Sequence, residues 1–146
     1  MSCPFFLPLR RLDHGAWVNP PRLPLGDPYG GECHADSTSP FEPLEAHQRE
    51  LCNCGYARGR CSHFPEDSTG DAVRFSIAGE FSGRLDLVYV IEKDHAPAGH
   101  GRMVYVSEEN RWETSHTSEL LARQARAFVE SRLRRETKVL TADGRG

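Results

Sequence analysis

The stretch AVRFSIAGEFSGRLDLVYVIEK, residues 72–93, contains two runs in which apolar and polar side chains alternate. Alternation with a period of two is typical of β-strands, because successive side chains point to opposite faces of a sheet. Val88 and Val90 add apolar side chains to the other face of the second run, which predicts a central strand. Ser82-Gly83, between the runs, predicts a tight hairpin turn. The shared apolar face consists of Val73, Phe75, Ile77, Leu85, Leu87, Tyr89 and Ile91.

The residues that follow are predicted to extend this hairpin. Residues 103–106 predict a third strand after a loop over residues 94–101, and residues 111–113 predict a short edge strand. Residues 118–138 carry apolar side chains at the spacing of one buried helix face, and residues 140–146 are expected to form a frayed tail. The predicted fold class is therefore α+β, a small antiparallel β-meander of three or four strands backed by one long C-terminal helix.

The composition changes near residue 70, since nine of the ten prolines and all five cysteines precede it. Residues 1–70 are predicted to form an irregular Cys/Pro-rich segment that packs on residues 71–146, so that the two make one compact domain. One short helix is expected in this segment. Ser39 would be its N-cap, Pro40 would occupy its first turn, and it would run to Leu51.

A bound metal would explain how so irregular a segment is held in place. Ordering a chain costs roughly 1–2 kcal/mol per residue in backbone entropy, and this segment has few apolar residues in a periodic pattern. The free energy of metal binding adds directly to folding. Gly55 permits a bend directly after the Cys-x-Cys pair at residues 52–54, so that both sulfurs can face one site. The predicted ligands are four of the five cysteines, Cys3, Cys33, Cys52, Cys54 and Cys61.

Two kinds of metal centre fit these cysteines. A [4Fe–4S] cluster takes four thiolates at varied spacing and is preferred, with Cys3 and Cys54 competing for the fourth position. A Zn²⁺ ion would take four cysteines, or three cysteines with His34 or His63, but the Cys-x2-Cys pair typical of zinc sites is missing. The apolar neighbours expected to shield a cluster from water are Phe5, Phe6, Tyr56 and Phe64.

The function predicted from this site is that of a metal-centre protein with an electron-transfer, sensing or structural role. One alternative is an interaction module with structural zinc. Another is a metal- or thiol-dependent enzyme, with His63, His95 or His100 as the acid–base partner. For His95 and His100 an ordinary surface loop is the preferred interpretation, because no nucleophile motif accompanies them. A catalytic role is therefore not favoured.

Charge and hydropathy limit the partners. The net charge of −3 gives no basic surplus for nucleic acid, whose binding depends on neutralising phosphates. No apolar run approaches the roughly 20 residues that span a bilayer. Residues 1–9 are interrupted by prolines and precede Arg10-Arg11, the reverse of the order in a signal peptide. We therefore expect a cytoplasmic protein without membrane contact, in which clustered cysteines are more often metal ligands than disulfides. A protein partner is possible.

Overall fold

The computed structural model describes residues 2–12, 25–114, 116 and 118–143, so residues 13–24 of the predicted irregular segment lie outside the described part. The predicted α+β class is confirmed, with two antiparallel sheets and a long C-terminal helix. In chain order the elements are β1 (Phe6–Arg11), β2 (Tyr29–Cys33), α1 (Glu45–His47), a π-helix (Gln48–Cys52), β3 (Ala72–Phe81), β4 (Arg84–Lys93), β5 (Ala96–Val106), β6 (Arg111–Thr114) and α2 (Glu119–Asp143).

Strands β3 to β6 form the predicted antiparallel meander, in the sheet order β3-β4-β5-β6. Ser82 and Gly83 make the predicted turn between β3 and β4, with φ angles of 50° and 75°. Positive φ at both positions is the conformation of the two-residue turns that best match strand twist. Leu85 and Leu87 of the predicted apolar face are fully buried. The meander therefore follows the periodicity of the sequence.

Strand β5 corrects the prediction of a loop over residues 94–101, because the turn consists only of Asp94 and His95. The remainder of that range pairs with β4 through its main chain, without apolar alternation. Strand β6 pairs with residues 104–106 of β5, so the first half of β5 lies at the edge of the sheet. Pro97, which has no N–H to donate, is tolerated at such an edge.

Strands β1 and β2 form a second, two-stranded sheet inside the segment that was predicted to be irregular. The prediction missed this sheet because Pro8 and the pair Gly30-Gly31 interrupt any apolar alternation. Gly31 is required by a close approach of the strands, since a Cβ there would lie 1.9 Å from the carbonyl oxygen of Leu7. Nε of Arg123 in α2 donates a hydrogen bond to the carbonyl of Pro8 at 3.0 Å and connects the sheet to the helix.

The short helix predicted from Ser39 to Leu51 begins later, at Glu45, and continues as a π-helix. Phe41 pairs instead with Cys33 in an isolated antiparallel bridge, with N–H to O=C distances of 2.7 and 3.3 Å. This pairing keeps the chain extended beyond the predicted N-cap. The prediction of a helix in this region was correct, but its start was wrong.

Helix α2 confirms the predicted long helix but runs to Asp143 instead of ending near residue 138. Residues 140–143 of the predicted frayed tail are therefore helical, and residues 144–146 of that tail lie outside the described residues. Ala125 and Val129 on the expected apolar face are fully buried. Among the described residues, no helix is long and apolar enough to cross a membrane.

One hydrophobic cluster includes buried residues from both predicted segments. At the boundary, the N–H groups of Ser2 and Val73 each donate to the other's carbonyl at 2.8 Å, which attaches the N-terminal end to strand β3. The cluster contains, among others, Phe6, Tyr29, Leu51, Leu87, Met103, Tyr105 and Val129.

Candidate metal centre

Four cysteines line one small apolar cavity, namely Cys3, Cys33, Cys52 and Cys61. They come from four places in the fold: the turn before β1, the end of β2, the end of the π-helix, and the loop that follows it. All four are free thiols. The fold thus brings together cysteines that lie far apart in the sequence.

Two buried amide side chains hold β2 against the π-helix. Oε1 of Gln48 accepts a hydrogen bond from the N–H of Gly31 at 2.8 Å. Asn53 pairs with the backbone of Tyr29, its Oδ1 accepting from the N–H and its Nδ2 donating to the carbonyl, both at 2.9 Å. These contacts place the cysteine at the end of β2 beside the cysteine at the end of the π-helix.

Cys3 is held from two sides. Its N–H donates to the carbonyl of Cys52 at 3.0 Å. Its own carbonyl accepts from Nε2 of Gln124 in α2 at 2.8 Å, and the same Nε2 donates to the carbonyl of Phe6 at 2.7 Å. Oε1 of this fully buried Gln124 accepts from the hydroxyl of Ser2 at 2.7 Å. One amide therefore fixes the whole N-terminal turn.

Cys61 reaches the cavity through a tight turn of the loop. The N–H groups of Arg60 and Cys61 both donate to the carbonyl of Ala57, at 2.9 and 2.8 Å. Gly55, which was predicted to permit a bend, has a φ of 74°, and Gly59 has a φ of 79°. Both angles lie in the left-handed region that favours glycine. The two glycines allow the chain to leave the π-helix and return its last cysteine.

The wall of the cavity is largely apolar. Phe5 and Phe64, both expected to shield a cluster, line it and meet edge to face with ring centroids 5.6 Å apart. Tyr56, which was also expected there, instead stacks on His95 with centroids 4.2 Å apart, and Phe6 lies in the hydrophobic core. The other apolar lining residues are Ala35, Phe41, Pro43, Leu51 and Ala57.

The four thiols are close enough to affect one another's ionisation. Burial raises the pKa of Cys3 to about 12, and the nearby Cys33 and Cys61 contribute to the rise. Burial also raises the pKa of Cys52, and Cys3, Cys33 and Cys61 all raise it further. Like charges in a poorly solvated cavity disfavour the ionised forms. Several thiolates can therefore coexist here only if a cation compensates their charge.

Backbone N–H groups offer partial compensation at two of the sulfurs. A hydrogen bond from the backbone of Phe5 lowers the pKa of Cys3, and one from Ala35 lowers that of Cys33, although burial outweighs both. In each case the donor lies two residues after the cysteine. Hydrogen bonds to sulfur favour the thiolate, which is the form that binds metals.

Cys54 lies apart from this group. Its thiol donates to the carbonyl of Arg49 at 3.5 Å, and it does not line the cavity. Burial raises its pKa, while nearby Arg60 lowers it. Of the five cysteines predicted as candidates, the structure thus brings four together and leaves Cys54 outside.

The histidines divide in a similar way. His63 lines the cavity, with its ring 4.6 Å from that of Phe41, whereas Nε2 of His34 lies 3.3 Å from the Glu32 carboxylate and away from the cavity. His95 lies in the β4–β5 turn, and His100 lies in β5. Neither of these last two lines the cavity.

His47 was not among the site residues predicted from the sequence. This residue lines the cavity, and its Nε2 lies 3.2 Å from Sγ of Cys61. Its position five residues before Cys52 carries no signal under α-helical periodicity, because residues three or four apart share a helix face. Only the π-helix between them places both residues at the cavity.

The cavity between the side chains is small, with a volume of about 20 Å³. Within the described part of the chain, no three or more His, Cys, Asp or Glu side chains are arranged so that they could hold a metal ion. A single zinc ion would draw four sulfurs to about 2.3 Å from one point. The observed side-chain positions do not have that arrangement.

Comparison with models of protein families, with curated proteins and with solved structures gave no match for this chain. The fold and the cavity define the class of molecule: an α+β protein in which a small sheet, a π-helix and a loop surround four thiols.

Proposed function

We propose that this protein binds a [4Fe–4S] cluster through Cys3, Cys33, Cys52 and Cys61. The observation that carries the proposal is the convergence of these four thiols, from four separate parts of the fold, on one apolar cavity. The chain contains five cysteines in all. Backbone hydrogen bonds hold each of the four cysteines in position, so chance is a poor explanation for their convergence.

The chemistry of the lining favours a soft metal. Thiolates select zinc, copper(I) and iron–sulfur clusters, whereas calcium and magnesium require oxygen ligands. No aspartate or glutamate is among the described residues that line the cavity. The raised pKa values of Cys3 and Cys52 indicate that their ionised forms need a nearby positive charge. Metal binding would supply that charge and release the thiol protons.

The preference for a cluster over a single ion rests on the four thiols and the largely apolar lining of the cavity. Cys3, Cys33, Cys52 and Cys61 would together provide the four thiolates that a [4Fe–4S] cluster takes. The aromatic rings of Phe5 and Phe64 would limit water access, which is one control on cluster potential.

Electron transfer or redox sensing is the role that follows. Held by the four cavity cysteines, a cluster would supply one-electron redox chemistry, with a reduced protein partner as the electron donor. Cys61 lines the cavity and also a hollow on the outer surface beside Arg60, so one ligand lies where a partner can approach. A cytoplasmic location agrees with this role, because a reducing compartment keeps the thiols free for the metal. Nucleic acid is not an expected partner at a net charge of −3.

The test is anaerobic purification followed by an ultraviolet–visible spectrum and by iron and acid-labile sulfide analysis. The wild-type protein is expected to be brown, with about four iron and four sulfide per chain. Cys3→Ser, Cys33→Ser, Cys52→Ser and Cys61→Ser should each lose most of the iron. Cys54→Ser is the matched control and should retain it, because Cys54 lies outside the cavity.

Other results would contradict specific parts of the proposal. Loss of iron from Cys54→Ser with retention in Cys3→Ser would overturn the ligand set. A colourless protein with about one zinc would make the site a structural zinc module. A metal-loaded protein in which one cavity thiol is still alkylated rapidly would favour a thiol-dependent enzyme. Five reactive thiols in a folded, metal-free protein would end the proposal.

A further inference from the structure

One of the four cavity thiols, that of Cys61, also contacts a histidine side chain, His47. Nε2 of His47 lies 3.2 Å from Sγ of Cys61, and the pair is partly buried. This distance is within the range of a hydrogen bond to sulfur. The contact gives Cys61 a side-chain partner at the cavity.

The backbone shows that this contact is built into the fold. His47 ends α1, and the π-helix that follows contains Cys52 as its last residue. The N–H of Asn53 donates to the carbonyl of Gln48 at 2.9 Å, the i→i+5 bond of a π-helix. Such a widened turn lets residues five apart share a side of the helix. His47 and Cys52 therefore face the same cavity.

We infer that His47 is a positioning residue that donates its Nε2–H to the Cys61 sulfur of the proposed cluster and raises the reduction potential of that cluster. The inference rests on the proposed function. A metal-bound thiolate has lost its proton and can only accept a hydrogen bond. The imidazole must therefore carry its proton on Nε2 when the cluster is bound.

The effect on potential follows from charge. One-electron reduction by a reduced partner adds one negative charge to the cluster and breaks no bond. A hydrogen bond to a sulfur ligand stabilises the more negative, reduced form more than the oxidised form. Cys61 also lines the outer hollow beside Arg60, so the hydrogen bond acts on a ligand that borders the outer surface.

His63 provides a matched control. It lines the same cavity, and its ring packs against Phe41 at 4.6 Å. His63→Leu removes an imidazole from the lining without removing the hydrogen bond to Cys61, whereas His47→Leu removes that bond. His47→Gln keeps a side-chain N–H donor near the same position. The three variants separate loss of the donor from a general change in the cavity.

The experiment is an anaerobic redox titration of the purified proteins with dithionite, followed by absorbance and electron paramagnetic resonance. His47→Leu should have a lower midpoint potential than the wild type, by more than the scatter of repeat titrations. His63→Leu and His47→Gln should both match the wild type within that scatter. If His47→Leu does not retain the cluster, His47→Gln decides: a cluster of wild-type potential supports the inference, and its loss or a lowered potential overturns it.

Failure of this inference can be distinguished from failure of the proposed function. An equal midpoint potential in the wild type and His47→Leu would overturn the role of His47 and leave the cluster in place. Absence of iron and sulfide from the wild-type protein would overturn both. A shift of equal size in His63→Leu would also overturn the inference, because a change in cavity shape would then explain the potential.

Discussion

Replacing Gln124 by methionine is expected to destabilise the protein and to loosen its N-terminal turn. Gln124 is fully buried in α2, and its amide donates to the carbonyls of Cys3 and Phe6 and accepts from the hydroxyl of Ser2. Methionine keeps the length of the side chain and removes these polar atoms. The substitution therefore leaves three buried groups without their amide partner.

The expected loss in the free energy of unfolding follows from these contacts. A buried polar group left without a partner costs about 1–3 kcal/mol. The carbonyl of Cys3 keeps a bond from the N–H of Phe6 at 3.1 Å, and the hydroxyl of Ser2 keeps the carbonyl of Val73 at 3.4 Å. The low end of the range therefore applies to these two groups. Burying the apolar methionine recovers about 1 kcal/mol. The expected net loss is about 2–4 kcal/mol in the free energy of unfolding.

The assay is guanidinium unfolding under anaerobic conditions, followed by circular dichroism, with the slope against denaturant checked for constancy. Arg126→Met is the control on the same helix. It breaks only a half-exposed ion pair with Glu130 at 3.0 Å and should cost less than about 0.5 kcal/mol. Equal unfolding free energies for Gln124→Met and Arg126→Met would refute the reasoning. Iron content should also fall in Gln124→Met, because this amide holds the turn that contains Cys3.

Two further predictions concern the fold. Gly31→Ala should lower the free energy of unfolding by more than about 2 kcal/mol, because its Cβ would lie 1.9 Å from the carbonyl oxygen of Leu7. Gly79→Ala, with nothing within 4 Å of its Cβ, should change this free energy by less than about 1 kcal/mol in the same guanidinium titration. Equal losses in the two variants would contradict the close approach at Gly31. The second concerns acid: a hydrogen bond from the backbone of Asp94 holds the pKa of Asp71 below its usual range. Its carboxylate thus stabilises the fold above the unfolded pKa, and this contribution is lost as pH falls through the folded pKa. The Tm of Asp71→Asn should be lower than that of the wild type at pH 7, and this difference should shrink below about pH 4. A difference in Tm that stays constant down to about pH 3 would exclude this role.

The meander and the long helix could be predicted because each buries one face. A half-buried strand must alternate and a half-buried helix must repeat every three to four residues, so Leu87 and Val129 carry a signal that is local in the sequence. The β1–β2 sheet carries no such signal. Its strands contain Pro8 and Gly31 and are joined mainly by backbone hydrogen bonds. Backbone pairing of this kind is compatible with many sequences and cannot be read from side-chain periodicity.

The candidate site could be predicted only as a set of residue types. Local spacing grouped Cys52 with Cys54, but the structure turns the second thiol towards the carbonyl of Arg49. Cys3 joins the cavity instead because Gln124, more than a hundred residues away, anchors its turn. Hydrogen bonds of such long sequence separation leave no pattern near the cysteines. Only the fold therefore shows that Cys3 lines the cavity and that Cys54 does not.

The π-helix shows how buried amides position the residues that line the cavity. A π-helical hydrogen bond spans one residue more than an α-helical one, and one residue corresponds to a rotation of about 100° in an α-helix. A return to α-helical geometry would therefore rotate Cys52 by about 100° relative to His47. Nδ2 of Asn53 donates to the carbonyl of Gln48 at 2.8 Å, and the same amide pairs with Tyr29 of β2. An α-helical register would break this double contact, since Asn53 could no longer reach both the π-helix and β2. The wide turn is thus stabilised by tertiary contacts that also hold β2 in place, and the positions of Cys52, His47 and the cysteine of β2 depend on one polar network.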